Sequence, residues 1–296
     1  MNWIQVVVLG IVEGITEFLP ISSTAHMIIP SSIMGISEDE FTKLFEVCIQ
    51  FGAILSVVAM YWRKFFDFAK WQFYVKLIVA FIPAAICGAL LSKQIDALLE
   101  SSFTVGMSFL IGGIVLLFVD KIFKNGNLEH EREISYPKAF LIGCFQVLAM
   151  IPGVSRSAAT IVGGLQQKLN RKLATEFSFY LTIPTMTAAS AKKLWDFYKT
   201  HDHQFAFEQG QLGMLIAGNI IAFIVAFIAI KTFIAYVQKH TFRAFGVYRI
   251  IAGIAVLALI GAGIIKKNET KTVVPTKQTS TLRNTINNKP ALAKNN

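Results

Sequence analysis

Six stretches of this chain, near residues 44–62, 75–92, 103–120, 174–191, 212–230 and 244–265, stay apolar for 18 residues or more. A helix of about 20 residues crosses a hydrocarbon core of about 30 Å. Backbone polar groups inside lipid must be paired within the segment, so such stretches become helices rather than isolated strands. The composition agrees: 54% of the 296 residues are hydrophobic and 16% charged, where a soluble domain carries about a quarter charged. An all-α polytopic membrane protein is expected. Met1-Asn2-Trp3 runs into an apolar stretch with no basic region and no small-residue cleavage site, so no cleaved signal peptide is expected. Cys48, Cys87 and Cys144 lie inside apolar runs and read as lipid- or core-facing thiols.

Net charge is +10, but it is concentrated at one end. From Lys266 onward, Lys267, Lys271, Lys277, Arg283, Lys289 and Lys294 add to that lysine against Glu269 alone. Residues 266–296 have no apolar periodicity and read as a basic, disordered tail behind one membrane domain, 1–265. The tail could touch anionic headgroups or stay solvated. No nucleic-acid partner is expected, membrane lipids are, and a homo-oligomer stays open.

Two segments break the apolar pattern, Glu13–His26 and Pro152–Thr160, and they belong to an internal repeat. Pro20-Ile21-Ser22-Ser23 precedes Pro152-Gly153-Val154-Ser155 by 132 residues, and at the same offset Phe45 matches Phe177 and Gly52 matches Pro184, as residues that open or interrupt the next span. Gly10-Ile11-Val12-Glu13 resembles Gly143-Cys144-Phe145-Gln146 at offset 133, and Gly106 and Gly113 match Gly246 and Gly253 at offset 140. Two halves follow, about 1–120 and 136–265, each a re-entrant helix pair plus three transmembrane helices. Three spans is an odd number, so the second half enters from the opposite face, and two inverted-topology repeats meet through their broken helices. Lysine and arginine crowd one set of loops (Arg63, Lys64, Lys70, Lys121, Lys168, Arg243), while the other set holds Lys43, Lys93, Lys192, Lys193 and Lys199. The first set is expected to be cytoplasmic.

Glu13 and Glu17 lie four apart and share a helix face. Two carboxylates at membrane depth need a cation, a proton or a basic partner, and oxygen ligands suit a divalent cation, Mg²⁺ or Ca²⁺. Ser22 and Thr24 can act as helix caps. Ser23 with His26 three residues on is a nucleophile near a group that takes a proton at neutral pH. In Pro152-Gly153-Val154-Ser155-Arg156-Ser157-Ala158-Ala159-Thr160 a turn leads into a helix start, whose amides attract anions. Arg156 adds a planar fork suited to phosphate oxygens. A plain ion pair from Arg156 to Glu13 or Glu17 stays open. No Gly-x4-Gly-Lys-Ser/Thr loop is present. Arginine and amides for phosphate, carboxylates for metal, and Ser with His suit hydrolysis of a phosphate ester or anhydride whose other end is lipid. Glu46 with Gln50, and Gln146, Glu176 and Ser178, are weaker candidates. Arg249 reads as snorkelling or pairing at a helix end.

These two motifs, in this order within an all-helical membrane chain, resemble the undecaprenyl-diphosphatase (bacitracin-resistance) family of bacteria over about residues 1–265. The resemblance implies hydrolysis of undecaprenyl diphosphate to the monophosphate and phosphate in the cytoplasmic membrane, with the site facing the outer side. That reaction recycles a lipid carrier for cell-wall synthesis and gives bacitracin resistance. It further implies that Glu13 and Glu17 serve metal and acid/base work, Ser23 attacks or orients the nucleophile, and His26 moves protons. Arg156 with Ser22, Thr24, Ser155, Ser157 and Thr160 would hold the phosphates. Attack by Ser23, with His26 or Glu17 taking its proton, is favoured over direct attack by water. Ala25 and Ala158 stand where glycine is expected in many relatives, which matters only if the backbone there needs positive φ. A transporter or flippase of an anionic phosphorylated lipid or solute is the alternative that inverted repeats leave open.

Overall fold

The computed structural model describes residues 1–99, 101–124, 126–200 and 209–265; the expectation for the basic tail falls outside them. The first half contains α1 (Trp3–Thr16), α2 (Ser23–Ile33), α3 (Glu40–Met60), α4 (Trp62–Phe65), α5 (Trp71–Leu90), α6 (Ser92–Leu99) and α7 (Ser102–Ile122). The second contains α8 (Tyr136–Val147), α9 (Arg156–Gln166), α10 (Arg171–Thr200), α11 (Gln211–Lys239) and α12 (Arg243–Gly261). Among the described residues the one non-helical pairing is an isolated bridge between Leu128 and Leu169.

Five helices, α3, α5, α7, α11 and α12, are long and apolar enough to cross a membrane. The stretch near 174–191 lies inside α10, which is long but not in that group, because Thr175, Ser178, Thr182 and Ser190 punctuate it. Those residues are all buried, and α10 packs on α3, α5, α9 and α11. Its polar groups therefore face protein rather than lipid. On the outside, Ile216, Ile220, Ile224 and Ile228 of α11 form an exposed stripe at four-residue spacing, the pattern of a lipid-facing helix side. Neither Gly52 nor Pro184 interrupts its helix. Gly52 instead lets α11 approach: a Cβ there would fall on the Asn219 carbonyl, and the Gly52 N–H donates to Asn219 Oδ1 at 2.8 Å.

The pairs α1–α2 and α8–α9 are each too short to span. At 1.5 Å per residue α1 reaches about 21 Å, and α2 and α9 have 11 residues each. Packing partners are exchanged between halves: α1 lies on α11, whereas α8 lies on α5. Between α7 and α12 the exchange is residue by residue. A Cβ on Gly113 would meet Ile250 and one on Gly253 would meet Leu110; one on Gly106 would meet Leu257 and one on Gly246 would meet Leu117. Rising numbers on α7 pair with falling numbers on α12, so the two helices are antiparallel and each contact recurs between the equivalent residues with the helices exchanged. A two-fold axis perpendicular to both helices and passing between them would produce this pattern.

The two turns give the register of the repeat. Ser22 (φ 65°) and Ser155 (φ 72°) both hold a left-handed φ that non-glycine residues seldom adopt, and both cap the next helix by accepting from the N–H of Ala25 and Ala158. The match is therefore Ser22 with Ser155, offset 133, one residue away from the register in which Pro20 meets Pro152. It sets Ser23 opposite Arg156, Glu13 opposite Gln146 and His26 opposite Ala159. The strained φ falls on the serines and not on Ala25 or Ala158, so alanine at those two sites has no φ cost.

Candidate active site

Both turns open on one cavity of about 660 Å³. Its polar end is formed by Glu17, Ser22, Ser23, Thr24, Ser155 and Arg156, so the first turns of α2 and α9 face the same space. Two helix N-termini bring unpaired amides and partial positive charge to one point, which favours an anion. The remaining wall is mostly apolar and small, with Ala84, Ala85, Gly88 and Ala89 of α5 opposite Ala149 and Met150. Lys192 and Lys193 also line it.

At the polar end three groups are joined. Ser23 Oγ donates to Glu17 Oε2 at 2.6 Å, and Arg156 Nη2 donates to Glu17 Oε1 at 2.9 Å. The ion pair is buried, with side-chain exposures of 10% for Arg156 and 4% for Glu17. α10 completes the seat of the guanidinium: Nη1 donates to the Ser178 carbonyl at 3.2 Å and to the Thr182 hydroxyl. Arg156 Nε has no partner. The plain ion pair left open by the sequence thus exists, and it carries a serine on its second carboxylate oxygen.

The other expected residues stand around this centre rather than in it. Ser157 Oγ donates to the Phe18 carbonyl at 2.7 Å, tying α9 to the first turn. Thr160 Oγ donates to the Arg156 carbonyl at 2.9 Å and lies 2.6 Å from Ser178 Oγ. Both are fully buried and off the cavity wall; Ser157 ties the start of α9 to the first turn and Thr160 ties α9 to α10. His26 is also off the wall. The Ser22 carbonyl, 2.8 Å away, can only accept, so Nδ1 carries the proton, and in the neutral ring Nε2 accepts from Tyr248 Oη at 2.6 Å. The ring stacks on Tyr248 and meets the edge of Phe109. The structure therefore puts Glu17, not His26, on the Ser23 proton.

Glu13 lies behind Glu17, 1% exposed, with Oε1 lacking any partner. Among the described residues no group of three His, Cys, Asp or Glu side chains is placed for a metal ion. Two carboxylates with one free oxygen still fit the manner in which Mg²⁺ is held by one or two carboxylates while phosphates and waters complete its shell.

Arg249 corrects its expected role as a snorkelling residue. It is 0% exposed, far from a helix-end position, and meets no carboxylate. All five of its N–H groups reach carbonyls: Phe109 (3.3 Å), Ser108 (3.2 Å), Pro20 (3.2 Å), Val154 (3.3 Å) and Gly153 (2.8 Å). One cation from α12 thus holds the turn of the first pair, the turn of the second and a stretch of α7. Gly112 leaves the room it occupies. The available signal was its depth, since an ionisable residue inside an apolar span is a functional candidate by default.

The fold and site define a polytopic membrane protein whose two broken helix pairs converge on one cavity, where a serine is hydrogen-bonded to a carboxylate paired with an arginine. A sequence profile of the family described as Bacitracin resistance protein BacA matches residues 6–255, and the chain belongs to that family. It is similar to proteins named undecaprenyl-diphosphatase: 57% identical over 88% of this chain and 96% of the relative from Flavobacterium psychrophilum, 55% over 88% and 96% from Flavobacterium johnsoniae, and 49% over 89% and 98% from Bdellovibrio bacteriovorus.

Proposed function

We infer that this protein hydrolyses undecaprenyl diphosphate to undecaprenyl phosphate and inorganic phosphate, and so supports carrier-lipid recycling and bacitracin resistance. The observation that carries the reading is the Ser23–Glu17–Arg156 assembly at two convergent helix N-termini, on a cavity whose other wall is apolar. A diphosphate fits the first part and a prenyl chain the second.

Ser23 Oγ attacks the terminal phosphorus while its proton passes to Glu17 Oε2, the bond to the bridging oxygen breaks, and undecaprenyl phosphate leaves. Arg156 and the first-turn amides of α2 and α9 stabilise the charge on the phosphoryl oxygens. Glu17 hands that proton to the departing oxygen of undecaprenyl phosphate, then removes a proton from the water that attacks the seryl phosphate, and this second proton returns to Ser23 Oγ as phosphate departs. A divalent ion on Glu13 and Glu17 would supply further neutralisation of phosphate charge. Ser22, Thr24 and Ser155, which line the cavity, would contact the phosphate, and His26 would steady the Ser22 turn through its carbonyl.

The setting is proposed to be the bacterial cytoplasmic membrane with the cavity facing outward. Support comes from the cavity lining: Ser92 of α6 and Lys192 and Lys193 of α10 lie on the lysine-poor side, which the charge rule places outside. The test is phosphate release from undecaprenyl diphosphate by the purified chain. Ser23→Ala should lower kcat by about a thousandfold or more, and a chelator should abolish turnover that Mg²⁺ or Ca²⁺ restores. Wild-type turnover in Ser23→Ala would replace the seryl route with direct attack by water, and unchanged turnover in chelator would remove the metal.

A further inference from the structure

The proposed chemistry leaves Gln146, a buried polar group of the cavity, without a role. Gln146 of α8 is 2% exposed, lines the cavity, and has an amide nitrogen with no hydrogen-bond partner. A buried amide N–H with no protein partner is costly, and an acceptor held in the cavity relieves that cost. Thr185 of α10 holds the amide plane, with its Oγ 3.2 Å from Gln146 Oε1 and 2.8 Å from the Leu181 carbonyl. One hydroxyl proton cannot serve both, so Thr185 supports either orientation of the amide, and an anion selects the one that turns N–H inward.

The position of this amide is set by α10. Arg156 reaches the Thr182 hydroxyl and Gln146 reaches Thr185, three residues further along the same helix. Their contact points on α10, Thr182 and Thr185, are therefore about 4.5 Å apart along its axis, an interval comparable to that between two phosphates sharing one oxygen. Gln146 also lies toward the apolar wall, four residues before Met150 on the same segment, and both line the cavity. In the repeat it is the counterpart of Glu13, so an amide stands where the other half has a carboxylate. A neutral donor can meet a phosphate without repelling it.

We propose that Gln146, held by Thr185, binds the phosphate that stays on the prenyl chain, while Arg156 and Ser23 take the phosphate that is released. This rests on the phosphatase reading and assigns the two phosphates to separate subsites. The two products then report on the two subsites. With purified full-length chain and undecaprenyl diphosphate as substrate, inhibition by undecaprenyl phosphate and by orthophosphate is measured separately. Gln146→Ala should weaken undecaprenyl phosphate inhibition about tenfold, as expected for one hydrogen bond to a charged group, and leave orthophosphate inhibition within about twofold. Gln146→Glu keeps the size and an acceptor for Thr185, replaces the donor with a negative charge, and should raise KM more than Gln146→Ala does. Unchanged constants for both products, a parallel change in both, or a change for orthophosphate alone would each overturn the assignment. Absence of phosphate release by the wild-type chain would instead end the phosphatase reading.

Discussion

The turn between α1 and α2 and the turn between α8 and α9 share a backbone and differ in almost every working side chain. Each ends on a serine with positive φ that caps the next helix, and each gives carbonyls to the same Arg249. Where the first has Ser23, the second has Arg156; where the first has Glu13, the second has Gln146. Under the proposed reaction the two similar turns are divided into a half that brings a serine and carboxylates and a half that brings a cation and an amide. Neither half can bind and cleave a phosphoanhydride alone, because the first would repel it and the second has nothing placed to attack it. Their union through Glu17 resolves both difficulties: the carboxylate is neutralised by Arg156 and still has an oxygen for Ser23.

The sharpest way to break this division is to remove the cation. Arg156→Ala should lower kcat about a thousandfold or more, since it removes phosphate stabilisation and leaves Glu17 as a buried, unpaired charge. Arg156→Lys keeps charge but loses the fork that spans Glu17 and α10, and should recover only a small part of that loss. Phosphate release under saturating substrate measures both. Substantial activity in Arg156→Ala would mean that the second half contributes little beyond its helix start.

Next in size is the residue common to both turns. Arg249→Lys offers three donors where five carbonyls wait, so both turns should loosen together. A fall of about a hundredfold in kcat and a clear drop in Tm in detergent are expected, with KM and kcat affected alike. Loss of stability with full kcat in the surviving fold would reduce Arg249 to a packing element.

Packing between halves gives a third comparison. Gly10 and Gly143 are repeat equivalents on α1 and α8, but their surroundings differ. A Cβ on Gly143 would fall on the backbone carbonyl of Ala80, whereas one on Gly10 would first touch the Ile221 side chain at 3.0 Å. A side chain can shift and a helix backbone cannot do so cheaply. Gly143→Ala should therefore destabilise by about 3 kcal/mol and Gly10→Ala by about 1 kcal/mol, read as thermal or denaturant shifts in detergent. Equal shifts would show that the halves tolerate crowding equally.

Much of this arrangement is legible in the sequence. Proline and hydroxyl residues inside apolar sequence marked both turns, and spans of 18 or more residues marked five of the long helices. Arg156 and Glu17 were legible because charge at membrane depth must be matched. Three features were not. α10 reads as an ordinary span until its threonines and serines are seen turned inward, a matter of helix rotation that packing sets. Arg249 is one charge in an apolar run, and nothing local shows that its partners are carbonyls drawn from three distant segments. His26 follows Ser23 so closely in sequence that a shared site looked natural, but α2 turns its ring toward Tyr248 on α12. Sequence spacing fixes which side chains share a helix; it does not fix which neighbour each one meets.

The smallest effect is also the most direct test of the shared backbone. Ser22→Ala and Ser155→Ala each remove one cap and keep a Cβ at positive φ, so each should destabilise by about 1 kcal/mol. The glycine versions, Ser22→Gly and Ser155→Gly, lose the same cap but relieve the backbone, and should lie closer to wild type. The two positions should respond alike in Tm, because the geometry that sets these costs is the same in both turns. Activity should separate them less than stability joins them, since both serines line the cavity at equivalent helix starts. A large difference between the two alanine variants in Tm would mean that the strained φ is held by different forces in the two halves, and the common origin of the turns would then explain their shape but not their stability.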